Sequence, residues 1–290
     1  MATKLAKART KIVAAMDRSE RVFSVRELER LIGSSRGEWQ LAEKTSIREV
    51  IEFLKAEGKL RKLSLRAKHY APLARYVWGD VPPYRLAVSL WNGAYLTHGS
   101  AVFLHGLTDE IPKVIYVNKE QSEKPEGPGG LTQERLDMAF SRPQRTSSYV
   151  LALGDFRVVL LSGKHTGGLE VAELPDPEGG EMVRVTKLER TLIDIAVRPS
   201  YAGGVTHVLD AFRGAKGRAR VAVIVATLKR LGYVYPYHQA IGFLLERAGF
   251  DRGKLKPFRA LGLEYDFYLV HGMRERDYDP NWRLFFPKGL

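Results

Sequence analysis

The side chains of this 290-residue chain best placed to do chemistry are cationic, and they fall in two stretches free of carboxylates. Residues 59–75 hold six Lys or Arg, with Arg61, Lys62, Arg66, Lys68 and His69 closely spaced. Arg213, Lys216, Arg218, Arg220, Lys229 and Arg230 make the second stretch. Unpaired cations at such spacing suit a polyanion, nucleic acid above all, because each neutralised phosphate releases condensed counterions. The other constellations are incomplete. His98 and His105 are seven apart on one expected helix, without the acidic neighbour that a metal site needs. Gly99-Ser100 with Asp109-Glu110 approaches a nucleotidyltransferase pattern, but Ile111 stands where the second metal-holding carboxylate belongs. Glu264-Tyr265-Asp266 resembles half of a metal-dependent nuclease site, with no following lysine or upstream acid at convincing spacing to complete it. G-x-S-x-G, the phosphate-binding glycine loop and H-E-x-x-H are all missing. The residues therefore point to binding, with no catalytic residue, metal or cofactor expected.

The elements that position these cations follow from periodicity and caps. A helix is expected over about Lys4–Met16, with Leu5, Ile12 and Met16 inward. Ser24-Val25-Arg26-Glu27 has capping-box spacing, Phe23 and Leu28 make a hydrophobic staple, and Gly33 stops the helix. Ser46-Ile47-Arg48-Glu49 repeats the cap, and Gly58 ends the third helix. Lys59–Arg66 then alternates apolar and charged residues, and Arg75–Trp78 returns as a second strand. Three helices and a basic hairpin are the order of a winged helix-turn-helix. Lys44, Thr45, Ser46 and Arg48 then begin the recognition helix and Lys55 lies further along it, while Arg61, Lys62, Arg66, Lys68 and His69 belong to the wing. Glu49, Glu52 and Glu57 oppose this reading by diluting the helix's attraction for DNA.

The fold class read from the sequence is α+β: a winged helix-turn-helix over 1–79, then a larger mixed α+β domain over 80–290. The second domain reads as sheet-rich over 80–183, helical over 184–262, and closed by a terminal strand and tail over 263–290. Strands are expected at Val114–Val117, Leu169–Leu174 and Leu263–Val270, with a hairpin turning at Gly154-Asp155. A polar loop is expected at Glu120–Gly130. The larger domain is organised around a helix opened by the T-x-x-E spacing of Thr186 and Glu189, carrying Leu188, Leu192 and Ile195 on one stripe, and closed by Arg198-Pro199. On it, Glu189, Arg190 and Asp194 read as a solvated or ion-paired face.

The net charge of +13 is uneven. Residues 1–79 carry 18 basic and 9 acidic side chains, 80–209 carry 13 and 16, and 210–260 carry 11 and 3. Two basic regions flank a mildly acidic middle. There is no cysteine, which fits a reducing compartment. No apolar run follows the basic N-terminus, so no signal peptide is expected. The uncharged stretch Leu86–Thr108 is broken by polar residues and glycines and reads as buried protein, so no membrane partner is expected. The expected location is the cytoplasm.

Two strings carry a further resemblance. Tyr95-Leu96-Thr97-His98, Ser100-Ala101, Leu104–Asp109 and Ile111-Pro112 form the first. Thr186–Asp194 with Arg198-Pro199 and Tyr201–Gly204 form the second. Together they resemble the AbiEi antitoxin family, across nearly the whole chain, although Ser34–Thr45 is longer than in the minimal family version. The resemblance implies an antitoxin of a bacterial toxin–antitoxin system, also used in abortive phage defence. It implies repression of the protein's own operon at inverted repeats in double-stranded DNA, and opposition to a nucleotidyltransferase toxin without a tight complex. The alternatives from the residues alone are a winged-helix-targeted nuclease or nucleotidyltransferase-like enzyme, or a ligand-sensing transcriptional regulator.

Overall fold

A computed structural model describes residues 4–123, 130–176 and 180–290; residues 124–129 of the expected polar loop therefore lie outside the described residues. The chain is mixed α+β. It opens with helix α1 (Lys4–Arg18), a two-residue strand β1 (Val22–Phe23), and helices α2 (Val25–Ser34) and α3 (Ile47–Ala56). Both expected caps form: the Ser24 and Ser46 hydroxyls accept from the Glu27 and Glu49 amides, and each glutamate reaches back to its cap's N–H. Gly33 does not stop α2, which runs one residue further. Strands β2 (Leu60–Leu65) and β3 (Leu73–Trp78) follow, and the sheet order is β1-β3-β2, all antiparallel.

This small sheet has two buried faces. Phe23, Leu60, Tyr76 and Trp78 enter the core of α1–α3, together with Ile12, Met16, Leu28, Trp39 and Leu54. Val22, Leu65 and Val77 enter a different core, built by the residues that follow. Alternation along a strand sends neighbours to opposite faces, so each of the three strands supplies both sides.

Helix α4 (Pro83–Ser89), strand β4 (Tyr95–Leu96), helix α5 (His98–Leu104), strand β5 (Val114–Asn118) and helix α6 (Gln133–Ser141) come next. Then follow β6 (Val150–Leu153), β7 (Phe156–Leu161), β8 (Val171–Pro175) and β9 (Met182–Thr186). The six strands form one mixed sheet in the order β6-β7-β5-β4-β9-β8. The stretch Leu86–Thr108 is cut into α4, β4 and α5, and no helix among the described residues is long and apolar enough to cross a membrane.

Helix α7 (Leu188–Val197) is buried along its length from Glu189 to Ala196. The expected T-x-x-E cap does not form. Thr186 is the last residue of β9, its hydroxyl pairs with Thr191 at 2.8 Å, and the Glu189 carboxylate turns to Arg220. Strand pairing of Thr186 wins over capping, and the N-cap position falls to Lys187, which makes no side-chain cap bond. After a 3-10 turn at Pro199–Ala202 come α8 (Val205–Gly214), α9 (Val221–Leu231), α10 (Tyr237–Arg247) and the short α11 (Lys256–Arg259). All four pack with α7 into the largest core. The strand expected over Leu263–Val270 shrinks to β10 (Phe267–Tyr268), which pairs in parallel with β12 (Leu284–Pro287), itself antiparallel to β11 (Arg276–Asp279). Trp282, Leu284 and Phe286 pack back into the helical core, as the apolar tail requires.

Candidate nucleic-acid interface

The start of α3 is set by its cap, and the cap consumes one expected contact. The Ser46 hydroxyl accepts from the Glu49 amide at 3.2 Å and bonds the Glu49 carboxylate at 3.0 Å, so Ser46 serves the helix end. Glu49 accepts from the Ser46 amide at 2.6 Å, and that bond leads the depression of its pKa. The three acids that weigh against DNA are all engaged. Glu49 closes the cap, Glu52 takes Lys55 at 2.8 Å, and Glu57 takes Arg9 at 2.7 Å. That pairing equally ties Lys55 to its own helix. Lys44 and Arg48 remain exposed at the N-terminal end of α3, and Thr45 is half-buried.

What presents this end is the segment between α2 and α3, which the sequence left without an anchor. Trp39 is fully buried there. The Arg36 guanidinium donates to the carbonyls of Thr45 at 2.8 Å, Ala42 at 3.0 Å and Glu43 at 2.8 Å. One side chain thus satisfies three carbonyls and fixes the turn immediately before Ser46. Only the length of the segment hinted at this.

The hairpin does not project. Its turn residues Arg66, Lys68 and His69 are exposed, but Ala67 is buried, and Tyr70 folds onto the larger unit. The Tyr70 ring lies 4.1 Å from that of Tyr149, and its hydroxyl meets Ser148 Oγ at 3.0 Å. Leu63, Leu65 and Leu73 pack into the core beneath, and Arg75 donates to the Leu90 carbonyl. Lys62 is exposed on β2, whereas Arg61 is drawn to the base of the hairpin, 3.2 Å from both the Gly79 carbonyl and the Asp80 carboxylate. The expected wing cations are therefore split between base and tip.

The second basic run is also divided. Arg213 pairs with Asp210 at 2.8 Å, Arg218 donates to the His105 carbonyl at 2.7 Å, and Arg220 meets Glu189 at 3.3 Å. Lys216 lies over Gly249. Lys229 and Arg230 are exposed at the far end of the 11-residue α9, roughly 15 Å from its start at 1.5 Å per residue. Its outer residues do not form one track.

Inside the larger unit is a polar centre that the sequence read as a helix face. Arg190 Nε donates to Asp194 at 2.7 Å, and both side chains are less than 10% exposed, at 7% and 6%. Arg190 also donates to the Leu169 carbonyl at 3.1 Å. Burial pushes the Arg190 pKa down, but Asp194 beside it outweighs this and the net shift is upward. Thr97 donates its hydroxyl proton to Asp194 at 3.0 Å. That proton being spent, the 3.1 Å contact between Thr97 Oγ1 and His98 Nδ1 requires the hydrogen on Nδ1. Burial lowers the His98 pKa to about 4, with Asp194 opposing. His98 adopts a left-handed φ of 49° at the start of α5, against the edge of Tyr201. His105 lies past the end of the same helix, its Nε2 2.7 Å from the Thr186 carbonyl. The two histidines thus have separate partners.

Toward the surface, a recess of about 310 Å³ is lined by Tyr95, Lys119, Glu120, His165, Gly168 and Arg184 among others. Glu120 is held there by the Tyr95 hydroxyl at 3.0 Å, the Thr166 amide at 2.8 Å and the Thr166 hydroxyl. Asp266 pairs with Arg283 at 3.0 Å and accepts from Tyr278 at 2.6 Å, while Glu264 is exposed. Among the described residues, no three His, Asp or Glu side chains gather closely enough to hold a metal ion.

These features define a mixed α+β protein whose basic N-terminal unit is locked onto a larger unit with a charged centre. Among solved structures the chain is similar to the crystal structure of the RV2827C protein from Mycobacterium tuberculosis, with a TM-score of 0.59 at 15% identity, over 97% of this chain and 91% of that one. At such identity the likeness is one of fold. No family model and no curated protein matches the chain.

Proposed function

We propose that this protein is a DNA-binding antitoxin and autorepressor of the AbiEi type. Its first 79 residues act as a winged helix-turn-helix on inverted repeats in double-stranded DNA. Its larger unit counters a nucleotidyltransferase toxin without a tight complex, in the cytoplasm and without catalysis. The observation that carries the DNA-binding part is the strand β1 between α1 and α2. It completes a three-stranded sheet in the order β1-β3-β2 behind three helices, which supports the winged-helix reading, with Lys44 and Arg48 exposed at the start of α3. Recognition helices contact base edges with their N-terminal residues. The antitoxin part rests on the resemblance of the Tyr95–Pro112 and Thr186–Gly204 strings, whose residues build the Thr97–Asp194–Arg190 centre.

The test is binding to a duplex containing the sequence upstream of the protein's own gene. Arg48→Ala should weaken specific binding by about 1–3 kcal/mol if Arg48 reads a base, and relax the preference for that duplex over an unrelated one. Equal binding by wild type and Arg48→Ala would remove α3 from the interface. Rescue of cells expressing the neighbouring nucleotidyltransferase tests the antitoxin part, and its loss in Arg48→Ala would tie rescue to repression.

A further inference from the structure

The docked hairpin brings a second basic segment beside it. Tyr70 of the hairpin turn bonds Ser148 at 3.0 Å and packs on Tyr149, so the turn meets the C-terminal end of the segment Arg142–Ser148 of the larger unit. That segment reads Arg-Pro-Gln-Arg-Thr-Ser-Ser, and no acid occurs from 142 to 154. Its backbone is held. Arg198 donates to the Arg145 carbonyl at 2.8 Å, the Ser147 amide donates to the Tyr201 hydroxyl at 2.8 Å, and Ser147 Oγ donates to the Leu160 carbonyl at 2.6 Å. Gln144 reaches the Val197 carbonyl at 3.1 Å. Arg142 and Arg145 themselves are exposed, and neither has a carboxylate partner among the described residues. A rigid backbone bearing two free guanidiniums, about 10 Å (Arg145) and about 20 Å (Arg142) along an extended chain from the hairpin contact, is preorganised for phosphates.

We propose that the DNA-contacting surface is composite: Arg142 and Arg145 of the larger unit continue the phosphate contacts begun by Arg66, Lys68 and His69 at the hairpin turn. This rests on the DNA-binding reading above. It reassigns the second cationic surface from the Arg213–Arg230 run, whose Arg213, Arg218 and Arg220 are engaged locally, to a segment with only two cations, both of them free. Such contacts go to the backbone of the duplex, so they add affinity and salt dependence without sequence preference.

The experiment measures affinity of the full chain for the upstream duplex as a function of salt. Arg142→Ala with Arg145→Ala should lower the slope of log K against log salt by about 0.9 per contact, about 1.8 in all, and weaken binding roughly thirtyfold at about 0.15 M salt. Arg142→Lys with Arg145→Lys should keep most of the slope, since a phosphate needs only the charge. Arg274→Ala with Lys288→Ala, which removes the same charge elsewhere, should leave the slope in place. The double alanine variant should melt with wild type, because both side chains lie in solvent. An unchanged slope in that variant, while Arg66→Ala with Lys68→Ala lowers it, overturns the composite surface and leaves the DNA-binding reading standing. Failure of the wild type to bind any duplex at low salt overturns the DNA-binding reading itself.

Discussion

Replacing Asp194 by Asn tests the charged centre of the larger unit. The carboxylate accepts from Arg190 at 2.7 Å and from Thr97 at 3.0 Å, in a site where both charged side chains are over nine-tenths covered. Asparagine keeps the volume and can still accept from Thr97, but it leaves the Arg190 guanidinium buried without its counter-charge. Breaking a buried pair from one side costs about 3–5 kcal/mol. For a protein of this size, roughly 2–4 °C of melting temperature accompany each kcal/mol, so the Asp194→Asn protein should melt about 10 °C lower. The double variant Arg190→Met with Asp194→Leu removes the charges together. It should recover much of the loss, because well-packed apolar residues replace buried ion pairs at little net cost. The assay is thermal and urea unfolding of Asp194→Asn beside a double-mutant cycle of wild type, Arg190→Met, Asp194→Leu and the double variant. An Asp194→Asn protein within 1 kcal/mol of wild type would refute the reasoning, on the same magnitude scale. So would a double variant as damaged as the sum of the singles, since pairs in contact must couple.

The pH dependence of stability tests His98. Its folded pKa of about 4 lies below the ordinary 6.5, so the unfolded chain takes up a proton that the folded one refuses. The contribution is complete above about pH 6.5 and is lost as pH falls toward 4, by about 3 kcal/mol in all. His105, His238 and His271 are lowered chiefly by burial and act in the same direction. His98→Asn, which tolerates the left-handed backbone, should flatten this fall in unfolding measurements between pH 7 and pH 4.5, and an unchanged pH profile would exclude His98 as its source. At Gly242 on α10, an added Cβ would enter the ring of the fully buried Trp282. Gly242→Ala should therefore destabilise by about 1–3 kcal/mol with a red-shifted tryptophan emission, and a wild-type melting curve would contradict that packing.

Much of the framework was legible in the residues. The two Ser-x-x-Glu boxes located α2 and α3, and the Gly154-Asp155 turn located the β6–β7 hairpin. The apolar stripe of α7 marked the packing centre that this helix occupies. Strands β1 and β4 were not legible, because two residues carry no period. Thr186 misled for a physical reason: the same hydroxyl spacing serves a cap or a strand end, and only tertiary pairing with β8 decides. Arg190 and Asp194 stand four apart, as on countless solvated helices, and nothing local reveals that they are buried. The candidate interface was legible as charge but not as shape. Tyr70 meets a residue 78 positions away, and Arg36 anchors its segment through backbone carbonyls that leave no mark in the sequence.

The hairpin sheet carries one more consequence. Side chains alternate along β2 and β3, and both resulting rows are claimed, Leu60, Tyr76 and Trp78 by the N-terminal helices and Leu65 and Val77 by the larger unit. In a sheet with one wet face, a one-residue slip sends apolar groups to solvent on that face alone. Here a slip would pull anchors from two cores at once and push Arg61 and Lys62 into one or the other. The pairing of Leu60 with Trp78 and Leu65 with Leu73 is therefore specified from both sides, independently of the turn that joins the strands. The turn Arg66–Pro72 is thereby freed from setting the register, and its sequence can change to suit whatever it touches.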